Sequence, residues 1–311
     1  MGAGTAERKM ILVTGANGFI GRTLVLELLS RGESVVGIDR RPALDPAEVA
    51  GTGYVEEIFD LADSALLEQA IATHRPRTVI ALAEAFDGPP TALVARSVAA
   101  FNALLDMARE HGVQRVCFAS SLVVYLGLDG PFREDMPLPM RSTIHIGAIK
   151  KSEELVAQWH ADNSALEVVA LRLANIYGPR YQTMMNTPSR YLFDALGRSY
   201  PSRPTIDPEV YAQISDFCHV EDCAKGIAAV ALADRLAHRI YNVGSGQGIT
   251  DEALRRAVDL AVGRNEVAAS PEPSRNHLDI ARLSGELGYR PRHDIDSGIK
   301  AYREWLAMHA N

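Results

Sequence analysis

With 311 residues, 47% of them hydrophobic and 23% charged, the chain has the length and composition of a globular protein of one large domain or a domain with a smaller lobe, not of a disordered one. A formal charge of −7 argues against a broad basic surface for nucleic acid or an anionic membrane. Three cysteines (Cys117, Cys218, Cys223) lack metal-ligand spacing and fit a reducing cytoplasm; Met1–Lys9 lacks a signal peptide's apolar core, and no apolar run reaches the roughly 18 to 20 residues that span a bilayer.

In chain order, Met10–Thr14 is a short apolar strand, followed by a glycine turn and a helix to about Ser30. Glu33–Asp39 is a strand of the fully buried kind, Leu66–His74 a helix and Thr78–Ala83 a strand. A long helix, Thr91–His111, precedes the strand Arg115–Ser120, and the helix Ile149–Asn163 precedes the strand Leu166–Leu173. Such alternation predicts an α/β fold with a doubly wound parallel sheet, its ligands at the carboxyl ends of the strands. Past Tyr177 the pattern weakens: Pro179–Asp207 is loop-rich, Glu221–Ala237 helical, and Ile240–Val243 a returning strand. Thr250–Val262, with Thr250 as N-cap, and Asp294–His309 are terminal helices. This divides the chain into a dinucleotide-binding domain (1–176, with 212–243 returning to it) and a small C-terminal substrate lobe (177–211 and 244–311).

The most specific signal is Ile11-Leu-Val-Thr-Gly15-Ala-Asn-Gly18-Phe-Ile-Gly21, placed after a strand and before a helix. Gly15 permits a tight turn, Gly18 lets the backbone approach a pyrophosphate, and Gly21 lets helix and strand pack closely. The anion then rests on the helix N-terminus, with Asn17, Phe19 and Ile20 around it. Asp39 ends the second strand roughly 20 residues on, where a carboxylate accepts the adenosine ribose hydroxyls and repels a 2′-phosphate. That favours NAD; Arg40 and Arg41, which can pair with a 2′-phosphate, leave NADP open.

With these residues in view, the chain resembles the extended short-chain dehydrogenase/reductase family, the group of nucleotide-sugar epimerases and dehydratases, over nearly its whole length and with a Rossmann sheet. Asp60 and Leu61 resemble the element that touches the adenine, and Val79-Ile-Ala-Leu-Ala83, with Leu82 and Ala83, the strand lining the cofactor. Phe118-Ala-Ser-Ser121-Leu-Val-Val-Tyr125 resembles the strand ending in the active-site serine. Leu171-Arg-Leu-Ala-Asn175-Ile-Tyr-Gly-Pro-Arg180, Asp216-Phe-Cys-His219-Val-Glu-Asp222 and Tyr241-Asn-Val-Gly-Ser-Gly246 resemble later signatures, in which His219 and Asp222 brace the fold. The resemblance further implies a homodimer through the helices Thr91–His111 and Ile149–Asn163.

The departures concern chemistry. Family members carry a proton-transferring tyrosine four residues before a lysine that holds the nicotinamide ribose. Here Lys150 takes the lysine position and Ile146 stands four before it; choosing Lys151 instead gives Gly147, and no tyrosine in the chain has a lysine four residues later. Ser215 replaces an arginine that pairs with a nucleotide sugar's pyrophosphate, leaving Arg275 as the stand-in, and Ser97 replaces a common asparagine. Glu84, just past the fourth strand, is read as a supporting carboxylate and not a base.

The candidate catalytic set is Ser121 to orient a substrate oxygen, Lys150 to hold the ribose, His145 as a proton shuttle, and Tyr181, ranked ahead of Tyr125 and Tyr177, as substitute donor. Losing one general acid lowers a rate by about 10² to 10⁴, tolerable if the substrate brings its own acidic hydroxyl. The expected function is therefore an NAD(P)-dependent ketoreductase or dehydrogenase acting on an aromatic or polyketide-like carbonyl. The alternatives are a sugar-type epimerase or dehydratase, and a cofactor-binding sensor without catalysis. The expected partner is a small molecule in the cytoplasm, with no metal, nucleic acid or membrane.

Overall fold

The computed structural model describes residues 10–42, 45–84, 88–180, 215–263 and 272–309. Seven strands form one all-parallel sheet: β1 (Met10–Thr14), β2 (Ser34–Asp39), β3 (Tyr54–Ile58), β4 (Thr78–Ala81), β5 (Arg115–Ser121), β6 (Glu167–Leu173) and β9 (Ile240–Val243), in the order β3-β2-β1-β4-β5-β6-β9. The order reverses at β1, which pairs with β2 on one side and β4 on the other, and in open sheets of this kind ligands bind beside that reversal.

Helices cover both faces, and the pleat sorts each strand between them. Ile11, Val13 and Val35 point to α1 (Phe19–Ser30) and α6 (Val220–Leu232), which contributes Ile227, Ala228 and Ala231. Leu12, Val36 and Ile38 point the other way, to α3 (Ser64–His74), α4 (Pro90–Glu110) and α5 (His145–Asn163). Because both faces are buried, the strands are near-continuous apolar runs and not alternating ones.

A second, two-stranded sheet pairs β7 (Asn175–Tyr177) with β8 (Phe217–His219). Against it lie α7 (Asp251–Ala261) and α9 (Ile295–Met308), through Leu254, Ala257, Val258 and Ile299. Gly298 is required here: a Cβ on it would stand 2.0 Å from the Tyr177 hydroxyl oxygen.

Several elements differ from the sequence expectation. The edge strand β3 was not expected; Val55 and Ile58 are exposed and Glu56 and Glu57 interrupt the run, so its apolar signal is weak. Two short helices, α2 (Pro46–Val49) and α8 (Ala281–Leu287), were also absent from it. The helix α5 begins at His145, not Ile149, and so carries Ile146 and Lys150 on one rigid element. The helix after His219 stops at Leu232, not Ala237, and β4 ends at Ala81, leaving Leu82–Glu84 outside the strand. Finally, α4 is long and apolar enough, by length and composition, to cross a membrane. Here it packs on the sheet through Leu93, Phe101, Leu104, Leu105 and Ala108.

Candidate functional site: the crevice at the carboxyl ends of the strands

The glycine turn connects β1 to α1 with Gly15 at φ 69°. A Cβ on Gly15 would lie 3.0 Å from the backbone nitrogen of Ala83, and one on Gly21 would lie 2.0 Å from the carbonyl oxygen of Gly15. The second distance is far inside contact, so only glycine lets α1 start this close to the strand. The α1 N-cap, Gly18, supplies no side-chain hydrogen bond to the first turn. Those N–H groups, with the helix dipole behind them, could hold a dianionic pyrophosphate.

On one flank of the turn, Asp39 accepts the backbone N–H of Asn17 at 3.0 Å and of Arg40 at 2.7 Å, which fixes its carboxylate beside the turn. The Asn17 side chain donates to the Arg41 carbonyl (2.7 Å) and to Glu56 Oε1 (3.0 Å), tying in the edge strand. Asp60 and Leu61 follow β3 next to Asp39, where Asp60 Oδ1 accepts the N–H of Ala62 at 2.9 Å. On the other flank, Leu82 and Ala83 continue β4, their backbone bonding Thr14 (3.2 Å to O and 3.4 Å to Oγ1). The sequence-predicted cofactor residues thus gather along one edge of the sheet, although they come from four strand ends.

Of the catalytic candidates, Ser121 lies farther along that edge. Ser121 ends β5; its Oγ accepts the Val123 N–H at 3.4 Å, capping a 3₁₀ turn (Leu122–Tyr125). The helix α5 is held against the sheet by Glu154, which pairs with Arg172 through both carboxylate oxygens (2.9 and 2.7 Å) and accepts Ser120 Oγ at 2.5 Å. Arg172 also donates to Tyr125 Oη (2.7 Å), which donates to Asn242 Oδ1 (2.9 Å), linking the 3₁₀ turn after β5 to β6 and β9.

This bracing settles which lysine faces the cleft. Lys151 donates to the carbonyls of Pro139 (2.5 Å) and Arg141 (2.8 Å) and tethers the preceding loop. Lys150 points inward, where its ammonium lies 2.6 Å from Glu84 Oε2 and 2.9 Å from Glu153 Oε2, while Ser97 Oγ donates to Glu84 Oε1 at 2.5 Å. Two carboxylates therefore share one ammonium in a nearly closed pocket. Burial alone would lower the Lys150 pKa, but Glu153 and Glu84 outweigh it and hold the pKa above the usual lysine value. Burial, with Glu84 adding to it, pushes Glu153 up to about 7 against the attraction of Lys150. Ile146, one helical turn before Lys150, is half-buried and brings no ionisable group.

His145 is exposed at the start of α5, a step of one residue around the helix from Ile146, so it does not share the Lys150 face. Tyr181 lies outside the described residues. Tyr125 and Tyr177 are fully buried in structural roles. Sequence reasoning missed Glu153, whose i, i+3 spacing from Lys150 was the available signal, and the bond that joins Ser97 to Glu84. Away from the crevice, His219, Glu221 and His293 bring ligand-type atoms within 4.8 Å of one another, a grouping not anticipated in the sequence. The two imidazoles stack at 4.0 Å with 30° between their planes, and Asp222 Oδ2 holds His293 through Nδ1 (2.9 Å) and N–H (2.9 Å), so the group braces α6 against the segment before α9.

A doubly wound sheet with a glycine turn at its reversal point and a carboxylate ending the next strand defines a dinucleotide-binding fold. The chain belongs to the NAD-dependent epimerase/dehydratase family, whose model matches residues 11–244, and NAD is its cofactor. It is 29% identical to a dTDP-glucose 4,6-dehydratase from an Actinoplanes species, over 95% of this chain and 97% of that one. To a UDP-glucose 4-epimerase of Erwinia amylovora it is 27% identical over 96% and 98% of the two chains. Among solved structures, MoeE5 in complex with UDP-glucuronic acid and NAD superposes with a TM-score of 0.78 at 29% identity, covering 96% of this chain and 99% of that one. The UDP-glucose 4-epimerase of Thermotoga maritima matches with a TM-score of 0.79 at 21% identity, covering 97% of this chain and 100% of that one, a likeness of fold.

Proposed function

We propose that this chain is an NAD-dependent enzyme acting on a nucleotide-sugar-type substrate, by epimerase or dehydratase chemistry in which an alcohol is oxidised and the hydride later returned. The observation that carries this is the end-to-end likeness, at 29% identity, to a dTDP-glucose 4,6-dehydratase and to a protein solved with UDP-glucuronic acid and NAD. It favours the sugar-type alternative over a ketoreductase for aromatic carbonyls. In the crevice, NAD would lie with its pyrophosphate on the α1 N-terminus and supply the hydride acceptor, while the hydroxyl proton passes to water, because Ile146 stands where a base would. Ser121 then meets the substrate oxygen at the end of β5, and exposed Arg275 faces the substrate's diphosphate in place of Ser215, whose Oγ is engaged with the Asn276 carbonyl at 2.9 Å. A cytoplasmic setting belongs to the same proposal, since all three cysteines are free and buried.

A second reading, a protein that binds NAD without turnover, is favoured by Ile146 and by the confinement of Lys150 between two carboxylates. One experiment separates the two: incubation with NAD and UDP-glucose, UDP-glucuronate or dTDP-glucose, followed by mass spectrometry and NMR of the sugar. An isomerised or dehydrated product establishes the first. Saturable NAD binding with unchanged sugar in every incubation establishes the second.

A further inference from the structure

The carboxyl edge of the sheet holds the crevice, and the opposite, amino edge carries a further cavity. It is a cleft of about 420 Å³ between the carboxyl ends of α3 and α4 and the amino ends of β4 and β5. Arg75, Arg77, His111 and Gln114 give it a polar lining, buried Ile71 and Pro76 add apolar surface, and no carboxylate is among its lining residues.

Backbone groups already close both helix ends. The N–H of Arg75 donates to the Ile71 carbonyl (2.9 Å), and those of His111 and Val113 donate to the carbonyls of Met107 (3.0 Å) and Ala108 (2.9 Å). The two guanidiniums are therefore not needed as caps. Gln114 Oε1 accepts Arg77 Nε at 2.8 Å, which fixes that guanidinium and leaves its Nη groups without a hydrogen-bond partner among the described residues. Arg75 is exposed, and its side chain makes neither a hydrogen bond nor an ion pair among the described residues. Glycine would suit its backbone better: Arg75 ends α3 at φ 44° and ψ 55°, the left-handed conformation that costs any residue with a Cβ. An exposed arginine at a helix carboxyl end gains less from the helix dipole than that conformation costs, so the dipole does not account for a side chain here.

We propose that this cleft binds a small polyvalent anion, a polyphosphate or a tricarboxylate, between the guanidiniums of Arg75 and Arg77. Planar guanidiniums donate paired N–H groups to phosphate or carboxylate oxygens, and an anion between two of them cancels their mutual repulsion. The Glu68 carboxylate lies 3.3 Å from His111 Nε2, so the attracting charge comes from the arginines. The length of β4 separates the site from the crevice, with Arg77 before its first residue and Leu82–Glu84 past its last. An occupant of the cleft therefore does not meet the cofactor.

Calorimetric titration of the NAD-loaded full chain with pyrophosphate and with citrate, for the wild type, Arg75→Gly and Arg77→Gln, tests the proposal. Saturating NAD keeps the probes off the glycine turn, where an anion also binds. The expected result is one anion per wild-type chain and an affinity lower by about tenfold or more in each variant, the range of a charge-assisted hydrogen bond. Arg75→Gly without anion should melt no lower than the wild type, because glycine adopts the left-handed conformation freely, which separates lost binding from lost folding. Binding of pyrophosphate alone assigns a phosphate ligand, of citrate alone a carboxylate ligand, and of both a site read by charge. No binding of either probe to the wild type at millimolar concentrations, or wild-type affinity in either variant, would overturn the proposal.

Discussion

Single residues at the turn set hard limits. Gly21→Ala places a methyl 2.0 Å from the Gly15 carbonyl oxygen and 2.8 Å from its carbon, both backbone atoms that cannot rotate away. The helix must retreat, at about 1 to 3 kcal/mol of overpacking strain. We expect a lower melting temperature and at least about tenfold weaker NAD binding by calorimetry; wild-type affinity in that variant would show that α1 does not set the cradle. His219 illustrates burial acting through protonation. Burial, then the neighbouring His293, lowers its pKa to about 3 from an ordinary 6.5, against Asp222; Lys225 adds to the lowering. The folded state thus binds fewer protons than the unfolded one between these values, so this stability is complete above about pH 6.5 and is lost as pH falls toward 3. Urea unfolding at pH 5 and pH 7 should show a smaller pH effect in His219→Asn than in the wild type, and equal slopes would mean that His219 does not carry it.

Among the elements, α5 contributes most to placing the site. Its anchor, the Arg172–Glu154 pair, is almost closed to solvent, with 3% and 9% of the side chains exposed. Glu154→Ala leaves a buried guanidinium without its carboxylate, a loss of about 3 to 5 kcal/mol, read as a lower denaturation midpoint at unchanged m-value. The opposite side of α5 exposes Leu155 (72%) and Trp159 (60%), one turn apart, beside the partly exposed α4. We predict that this stripe pairs two copies of the chain, the homodimer that the family resemblance implies. Light scattering should give twice the chain mass for the wild type and the single-chain mass for Leu155→Glu/Trp159→Glu; a monomeric wild type would refute the pairing.

At the scale of the molecule, the crevice exists only because the sheet reverses at β1 and brings strand ends from distant parts of the chain to one edge. A ligand that binds only this assembled edge stabilises the whole fold. NAD at a hundred times its dissociation constant should add about 2.7 kcal/mol to the unfolding free energy. Thermal melts with matched NAD and NADP should show the larger rise with NAD if Asp39 receives the adenosine ribose, since its carboxylate would repel a 2′-phosphate; a larger rise with NADP would mean that Arg40 and Arg41 dominate there.

By itself the sequence determined the doubly wound sheet, the glycine turn and the nicotinamide-dinucleotide class, favouring NAD with NADP left open, and it put Ile146 four residues before Lys150. These depend on local periodicity, on glycine's freedom at fixed spacings, and on residue identity at a motif position. It left the edge strand β3 obscure, because a half-exposed strand containing Glu56 and Glu57 has no strong apolar pattern. It put Lys150, not the adjacent Lys151, at the lysine position, but could not show what either ammonium touches; the two point about 100° apart on a helix, and packing ties Lys151 to the carbonyls of Pro139 and Arg141. Nor could it join Glu84, Ser97, Lys150 and Glu153, which come from three segments far apart in the chain. Only the tertiary structure decided that pairing, because the energy of a buried charge depends on which partners the fold brings within hydrogen-bonding distance, not on its place in the chain.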